Sequence, residues 1–162
     1  MLGERQAGIA LLKQGFQLIQ NSGSLQATAL YASMVADHMA LAGMREEAIV
    51  YSNKALDFYR EFGEGNGEAP AHRALALAAA QAPTSDWPTV EHHMNEGIRA
   101  ARQRGEQPHL AITLFRYGEL LRARHDPDAA RPKFKEAQRL FAAMRMQWWL
   151  EEALRAEANS PL

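Results

Sequence analysis

The stretch "FRYGELLRARHDPDAA", Phe115 to Ala130, decides how the chain is read. Apolar Leu114, Tyr117 and Leu121 recur at helical spacing, with Arg116, Glu119, Arg122 and Arg124 between them, so the segment is an amphipathic helix. Gly118 sits in its middle, where glycine costs about 1 kcal/mol relative to alanine. A contact that only a bare backbone permits must offset that cost, so another helix is expected to pack against this point. Asp126 followed by Pro127 then reads as the start of the next helix.

The same grammar extends in both directions. Helical-period segments run over 4–21, 25–42, 45–62, 70–82, 88–104, 108–124, 127–144 and 147–158, and no segment alternates as a strand would. Gly23, Gly63 and Gly105 follow helical runs as left-handed closing residues, while Asp86 with Pro88 opens another helix. Connections this short force consecutive helices to pair antiparallel. Pro132 stands inside the seventh segment and predicts a kink or a later helix start.

The helices repeat. Gly23, Gly63 and Gly105 are spaced by 40 and 42 residues, and the same register aligns Gly8, Ala48, Val90 and Ala130, then Gly15, Ala55, Gly97 and Ala137. Small side chains recurring at fixed points mark close backbone approach, and a fixed period of this size is the signature of stacked helical hairpins. The predicted core is Leu12, Phe16, Val35, Met39, Leu56, Leu77, Met94, Ile98, Leu114, Tyr117, Leu121, Phe134 and Trp149.

The set Leu114, Tyr117, Gly118, Leu121, Ala130, Phe134 and Ala137 resembles the tetratricopeptide repeat, in which a helix A carrying a close-packing glycine faces a helix B carrying alanine and phenylalanine. Ala36 and Ala78 hold the glycine slot in the earlier hairpins, and the second hairpin's "GMREEAIVYSNKAL", Gly43 to Leu56, fits the same pattern. The middle hairpin departs most, with Gln81 at the aromatic slot and Val90 at a small one. A period beyond the usual 34 residues is similar to the long repeats of maltotriose-regulator-type (MalT-like) bacterial transcription activators and of ATPase regulators, some fused to nucleotide cyclases.

The resemblance implies an all-α fold in which antiparallel hairpins stack as a right-handed superhelical solenoid. It divides a single domain, 1–162, into an unpaired B helix (1–22), repeats over 24–63, 66–105 and 107–145, and a capping helix (146–159). It further implies a non-catalytic scaffold that binds a protein, a peptide or a small ligand, as the sensor part of a signalling or transcription regulator. Self-association, or a place at the C-terminal end of a larger cyclase or ATPase regulator, is the alternative. The family's inner groove, carried over position by position, falls on Ser33, Asp37, His72, Leu75, Phe115, Glu119 and Arg122, with Phe115 as the apolar anchor and Glu119 and Arg122 orienting the partner. All four lysines, Lys13, Lys54, Lys133 and Lys135, fall on B helices, so the lysine clamp by which some relatives hold a peptide carboxylate is not reproduced. The first helix lacks its A partner in this register, which predicts an uncovered apolar side including Ile9, Leu11, Leu12, Phe16 and Ile19 and a homodimer through it, or truncation from a longer array.

Composition narrows the function classes. A net charge of -1 over 162 residues carries no nucleic-acid footprint, so direct nucleic-acid binding is not expected. The absence of cysteine removes thiolate sites and disulfides and fits a reducing compartment. "ALALAAA", Ala74 to Ala80, is too short to span a bilayer, and a charged amino terminus is not a signal peptide, so a cytoplasmic protein without membrane attachment is expected. Compact catalytic signatures such as the P-loop or a zinc-protease helix are missing, and neither a catalytic residue nor a cofactor is assigned. "GEGNGE", Gly63 to Glu68, reads as an inter-repeat turn, having neither the strand nor the lysine of a phosphate loop. His92 and His93 point about 100° apart on a helix, so no metal site is assigned. Trp148 and Trp149 belong to an amphipathic terminal helix, read as a cap.

Overall fold

The computed structural model describes residues 2–62, 67–84 and 86–158, with side chains described outside 2–6, 25 and 26. Among these residues the secondary structure is entirely helical: α1 (Leu2–Asn21), α2 (Leu25–Leu41), α3 (Arg45–Phe62), α4 (Glu68–Ala80), α5 (Trp87–Arg104), α6 (Gln107–Ala123), α7 (Pro127–Ala143) and α8 (Gln147–Ala158). Their ends follow from local chemistry. Asp126 caps α7 by accepting the Ala129 N–H at 3.1 Å, and Asp86 accepts from the Thr89 N–H at 3.3 Å and from the Thr89 hydroxyl at 2.6 Å. Those bonds hold the Asp86 carboxyl below the usual carboxylate range, the hydroxyl contributing most. Gly23 and Gly105 close helices at φ 75° and 70°, as expected, whereas Gly63 lies outside the described residues. His125 and Arg145 adopt the same left-handed turn at φ 63° and 56° without being glycine. There the helix-closing bonds hold the conformation: the Asp126 N–H reaches Leu121 O at 3.0 Å and the Met146 N–H reaches Phe141 O at 2.9 Å.

The α7 helix runs through Pro132, so a later start is corrected. Asp126 and Pro127 fix its beginning one turn earlier, and Pro132 is exposed. Proline there removes one N–H, which leaves a single solvent-side carbonyl without its intrahelical donor.

The chain divides into two compact units, Met1–Gly97 and Ile98–Leu162, the boundary falling inside α5. In the first, α2 packs on α1, α3 and α4, and α3 also packs on α4. Polar ties fix these helices: Arg73 of α4 donates to both carboxylate oxygens of Asp37 on α2, at 2.9 and 2.8 Å. Gln81 donates at 2.7 Å to Ala40 O, a carbonyl at the end of α2 that also accepts from the Gly43 N–H at 3.1 Å, and Arg45 donates to Ala78 O at 3.1 Å.

In the second unit α7 packs on both α6 and α8. Here the close approach predicted at Gly118 is found. A methyl group on Gly118 would lie 2.7 Å from Cε1 and 2.9 Å from Cδ1 of Phe134, a fully buried ring. The corresponding reading of Gly8 and Gly15 is corrected. A methyl on Gly8 meets nothing within 4 Å, and one on Gly15 meets Tyr31 at an ordinary 3.8 Å. The later members of those series, Ala48, Ala55, Ala130 and Ala137, are fully buried, because α3 and α7 each have a hairpin partner at that face.

Eleven of the predicted core residues are buried, while Leu12 and Trp149 are half-buried because α1 and α8 each keep a face in solvent. Val90, Phe115 and Phe141 join the core as well.

Candidate binding cleft

A cleft of ≈ 570 Å³ opens in the first unit between α1, α2 and α3. Its floor is Ala29 and Ala32 of α2, whose small side chains leave the room. Aromatic walls rise on either side: Phe16 from α1, and Phe58 and Phe62 from α3, the last two with ring centroids 4.6 Å apart. Helical spacing produces the α3 wall, since Lys54, Asp57, Phe58, Glu61 and Phe62 recur at steps of three and four residues on one side.

Phe16 is buried and meets Tyr51 edge-on at 5.2 Å, and the Lys54 ammonium stands 5.9 Å from the Phe16 ring and 5.4 Å from the Tyr51 ring. At these distances the cation and the ring quadrupoles attract, which holds Lys54 over the aromatic pair. Asp57 pairs with exposed Arg60 at 2.9 Å, and Glu61 faces solvent. Phe62 is 45% exposed, an apolar wall in contact with water. The cleft therefore combines an apolar interior with a charged rim, the division by which binding sites gain affinity from burial and orientation from polar groups.

The residues assigned from the tetratricopeptide groove are placed differently. Ser33 is fully buried and donates to Leu30 O at 2.7 Å, and Gly67 packs so tightly beside it that a methyl there would meet Ser33 Oγ and Tyr59 Oη, each at 2.5 Å. Asp37 is buried under its bidentate pair with Arg73. Phe115 is only 3% exposed: Phe134, Phe141 and Trp149 surround it at centroid distances of 6.1, 6.4 and 5.9 Å. The expected apolar anchor is thus a core residue with no face to offer a partner. Glu119 accepts from Arg116 at 2.7 Å, and Arg122 donates to Ala156 O at 2.7 Å, which satisfies a carbonyl near the end of α8. Their charges are absorbed by packing within the second unit. Leu75 is half-buried.

His72 has another role. Its Nδ1 lies 3.0 Å from Nδ1 of His93, a contact that requires one ring to donate and the other to accept. Burial first, then the neighbouring His92, lowers the pKa of His93 below the ordinary histidine value, and Glu96 works against both. No local pattern announces this pair, whose members are 21 residues apart on different helices. Among the described residues no three histidine, aspartate or glutamate side chains gather in a geometry suited to a metal ion.

Of the α1 residues assigned to self-association, Ile9 and Phe16 are buried within the chain, Leu12 and Ile19 are half-buried, and Leu11 is 67% exposed. Trp149 stacks on Phe141 at 5.7 Å, whereas Trp148 stays 60% exposed. Residues 63–66 of the "GEGNGE" turn lie outside the described residues. No described helix is long and apolar enough to cross a membrane.

No family model matches the chain, and no curated protein matches it.

Proposed function

We propose that the chain is a non-catalytic binding module of tetratricopeptide-like helical hairpins, and that it takes an amphipathic peptide segment in the α1–α3 cleft. The observation that carries this reading is the open cleft with phenylalanine on both walls and charges confined to its rim. Of its charged lining residues Asp57 is paired with Arg60, which leaves Lys54 and Glu61 as a rim of balanced charge, so the apolar face of the peptide carries the recognition. The long-repeat resemblance assigns such a module to the sensor or scaffold part of a bacterial signalling or transcription regulator, or to the C-terminal array of a cyclase- or ATPase-type regulator. Close packing at Gly118 and the paired α6 and α7 support the hairpin reading, and stacking of hairpins as a right-handed solenoid belongs to the same proposal.

Fluorescence anisotropy with labelled model amphipathic helices, one lysine-rich and one glutamate-rich, tests the binding reading. Both peptides bind through their apolar faces, and Phe58→Ala or Phe62→Ala weakens them by about 1 to 2 kcal/mol, the scale of a truncated aromatic anchor. Absence of binding to either peptide, or binding unchanged in both variants, removes the cleft as the site.

A further inference from the structure

The contact between His72 and His93 brings two potential ligand atoms together. Their Nδ1 atoms stand 3.0 Å apart, with ring centroids separated by 5.3 Å and ring planes inclined at 35°. At that distance a proton lies between the two nitrogens, one ring donating it and the other offering a lone pair. A metal ion takes the same place when both lone pairs turn toward it. Metal–imidazole bonds are about 2.0–2.1 Å long, so two such nitrogens lie about 2.8–3.0 Å apart when they meet the ion at a right angle and about 3.3–3.4 Å apart at a tetrahedral one. The observed spacing is that of the right angle, the arrangement preferred by tetragonal Cu2+ and Ni2+.

The surroundings suit a cation. His72 belongs to α4 and His93 to α5, so each ring is carried on a helix rather than a loop, and both rings are half-buried, which leaves an approach from water. Burial and the neighbouring His92 favour the neutral form of His93, the form in which imidazole binds a metal. Glu96 opposes that effect because its carboxylate draws positive charge toward His93, and it draws a metal cation in the same way. The chain has no cysteine, so no thiolate competes for the ion. Among the described residues no third histidine, aspartate or glutamate completes a ligand set, so the remaining positions around the ion fall to water. We propose that His72 and His93 form a two-histidine chelate for a divalent transition-metal ion of tetragonal preference, Cu2+ before Ni2+, which clamps α4 to α5. The order follows the general affinity of nitrogen sites for these ions. Both rings stay neutral on binding: the ring that donates loses its Nδ1 proton to solvent and gains one at Nε2, so that both Nδ1 lone pairs face the ion. Neither histidine lines the α1–α3 cleft, so the chelate does not depend on what the cleft holds.

Titration of the full, untagged, metal-free chain with Cu2+ at neutral pH, followed by calorimetry and by electron paramagnetic resonance, tests the chelate. The tightest Cu2+ binding is lost or weakened in His72→Gln and in His93→Gln by at least the roughly 10–100-fold that removing even an outer-shell partner of a metal ligand costs. His92→Gln leaves it unchanged. The resonance spectrum of the wild-type chain with one equivalent of Cu2+ shows two imidazole nitrogens bound to the ion. Cu2+ raises the melting temperature of the wild type and not of the His72 or His93 variant, because an ion held between two helices binds only the folded chain, and a chelator reverses the rise. Ni2+ acts at the same place more weakly, and Mg2+, which takes oxygen ligands, does not act. Equal Cu2+ affinity in the wild type and both variants, a spectrum with one imidazole nitrogen or none, or the same loss from His92→Gln as from His93→Gln would overturn the proposal. The spectrum is read on the wild-type chain, so the test holds even where a variant folds poorly.

Discussion

Replacing Gly118 with alanine sets two effects of opposite sign against each other, and the structure says which prevails. Alanine is the better helix former by about 0.8–1.0 kcal/mol, so in an uncrowded helix the substitution stabilises. Here the new methyl would stand 2.7, 2.9 and 3.0 Å from Cε1, Cδ1 and Cζ of Phe134. Carbon atoms rest about 3.5–4.0 Å apart, so the ring has to retreat by roughly 1 Å. Phe134 is fully buried with Phe115 next to it at 6.1 Å, which leaves the ring little space to use. Overpacking of this kind costs about 1–3 kcal/mol, and the difference is a net destabilisation of about 0–2 kcal/mol. Urea unfolding followed by circular dichroism and tryptophan fluorescence measures it, with an unchanged m-value as the sign that only stability moved. The companion experiment repeats the substitution in a Phe134→Val background, where the contacting ring atoms are gone. Gly118→Ala then stabilises by about 0.5–1 kcal/mol, and the two sites show a coupling of about 1–3 kcal/mol. An increase in stability of about 1 kcal/mol in the wild-type background would refute the close-packing argument, because it would mean that helix propensity acts there unopposed.

Asp37→Ala removes the carboxylate that pairs bidentately with the buried Arg73 guanidinium and should cost about 3–5 kcal/mol in urea unfolding, whereas Asp37→Leu with Arg73→Met recovers most of it, since an apolar pair of similar volume buries no charge. His93 faces His72 across from α4 and His92 and Glu96 on α5. Its pKa is lowered in the folded state, so as pH falls through about 6.5 the unfolded chain takes up the proton first and stability drops, levelling off below the folded value. The slope stays under the roughly 1.4 kcal/mol per pH unit of one full proton, because in that range the folded and unfolded chains are both partly protonated. His93→Gln should flatten the fall of the melting temperature as pH drops through the ordinary histidine range, by about one histidine's share, and an unaltered profile would show that His93 is not the group responsible. His125→Gly should raise stability by roughly 0.5–1 kcal/mol, since a glycine relieves the left-handed strain at φ 63°; a loss would mean that the histidine side chain stabilises the turn.

Helix positions were legible in the sequence because their determinants are local. Asp126 with Pro127 and the glycines at 23 and 105 act within one turn of themselves, and the observed helices begin and end within about two residues of where those signals stand. Gly118 was legible for a different reason: a residue that contradicts its local propensity points to a tertiary contact, and Phe134 supplies it. The groove residues were not legible, because family register fixes a residue's position on a helix but not what the next helix places over it. Phe115 illustrates this, for its exposure depends on Phe141 and Trp149, 26 and 34 residues further along. Asp37 likewise reads as a polar groove residue until Arg73 is seen to reach it from α4. The cleft itself escaped notice because it is made of an omission: Ala29 and Ala32 are small where Phe16 and Phe58 are large, and alanine in a helix carries no signal of its own. The α1 helix shows the reverse case. Its apolar side is visible in the sequence, yet sequence alone put Ile9 and Phe16 on the same uncovered surface as Leu11. Burial separates them, for the chain itself covers Ile9 and Phe16, the latter meeting Tyr51 edge-on, while Leu11 and Leu18 stay in contact with water.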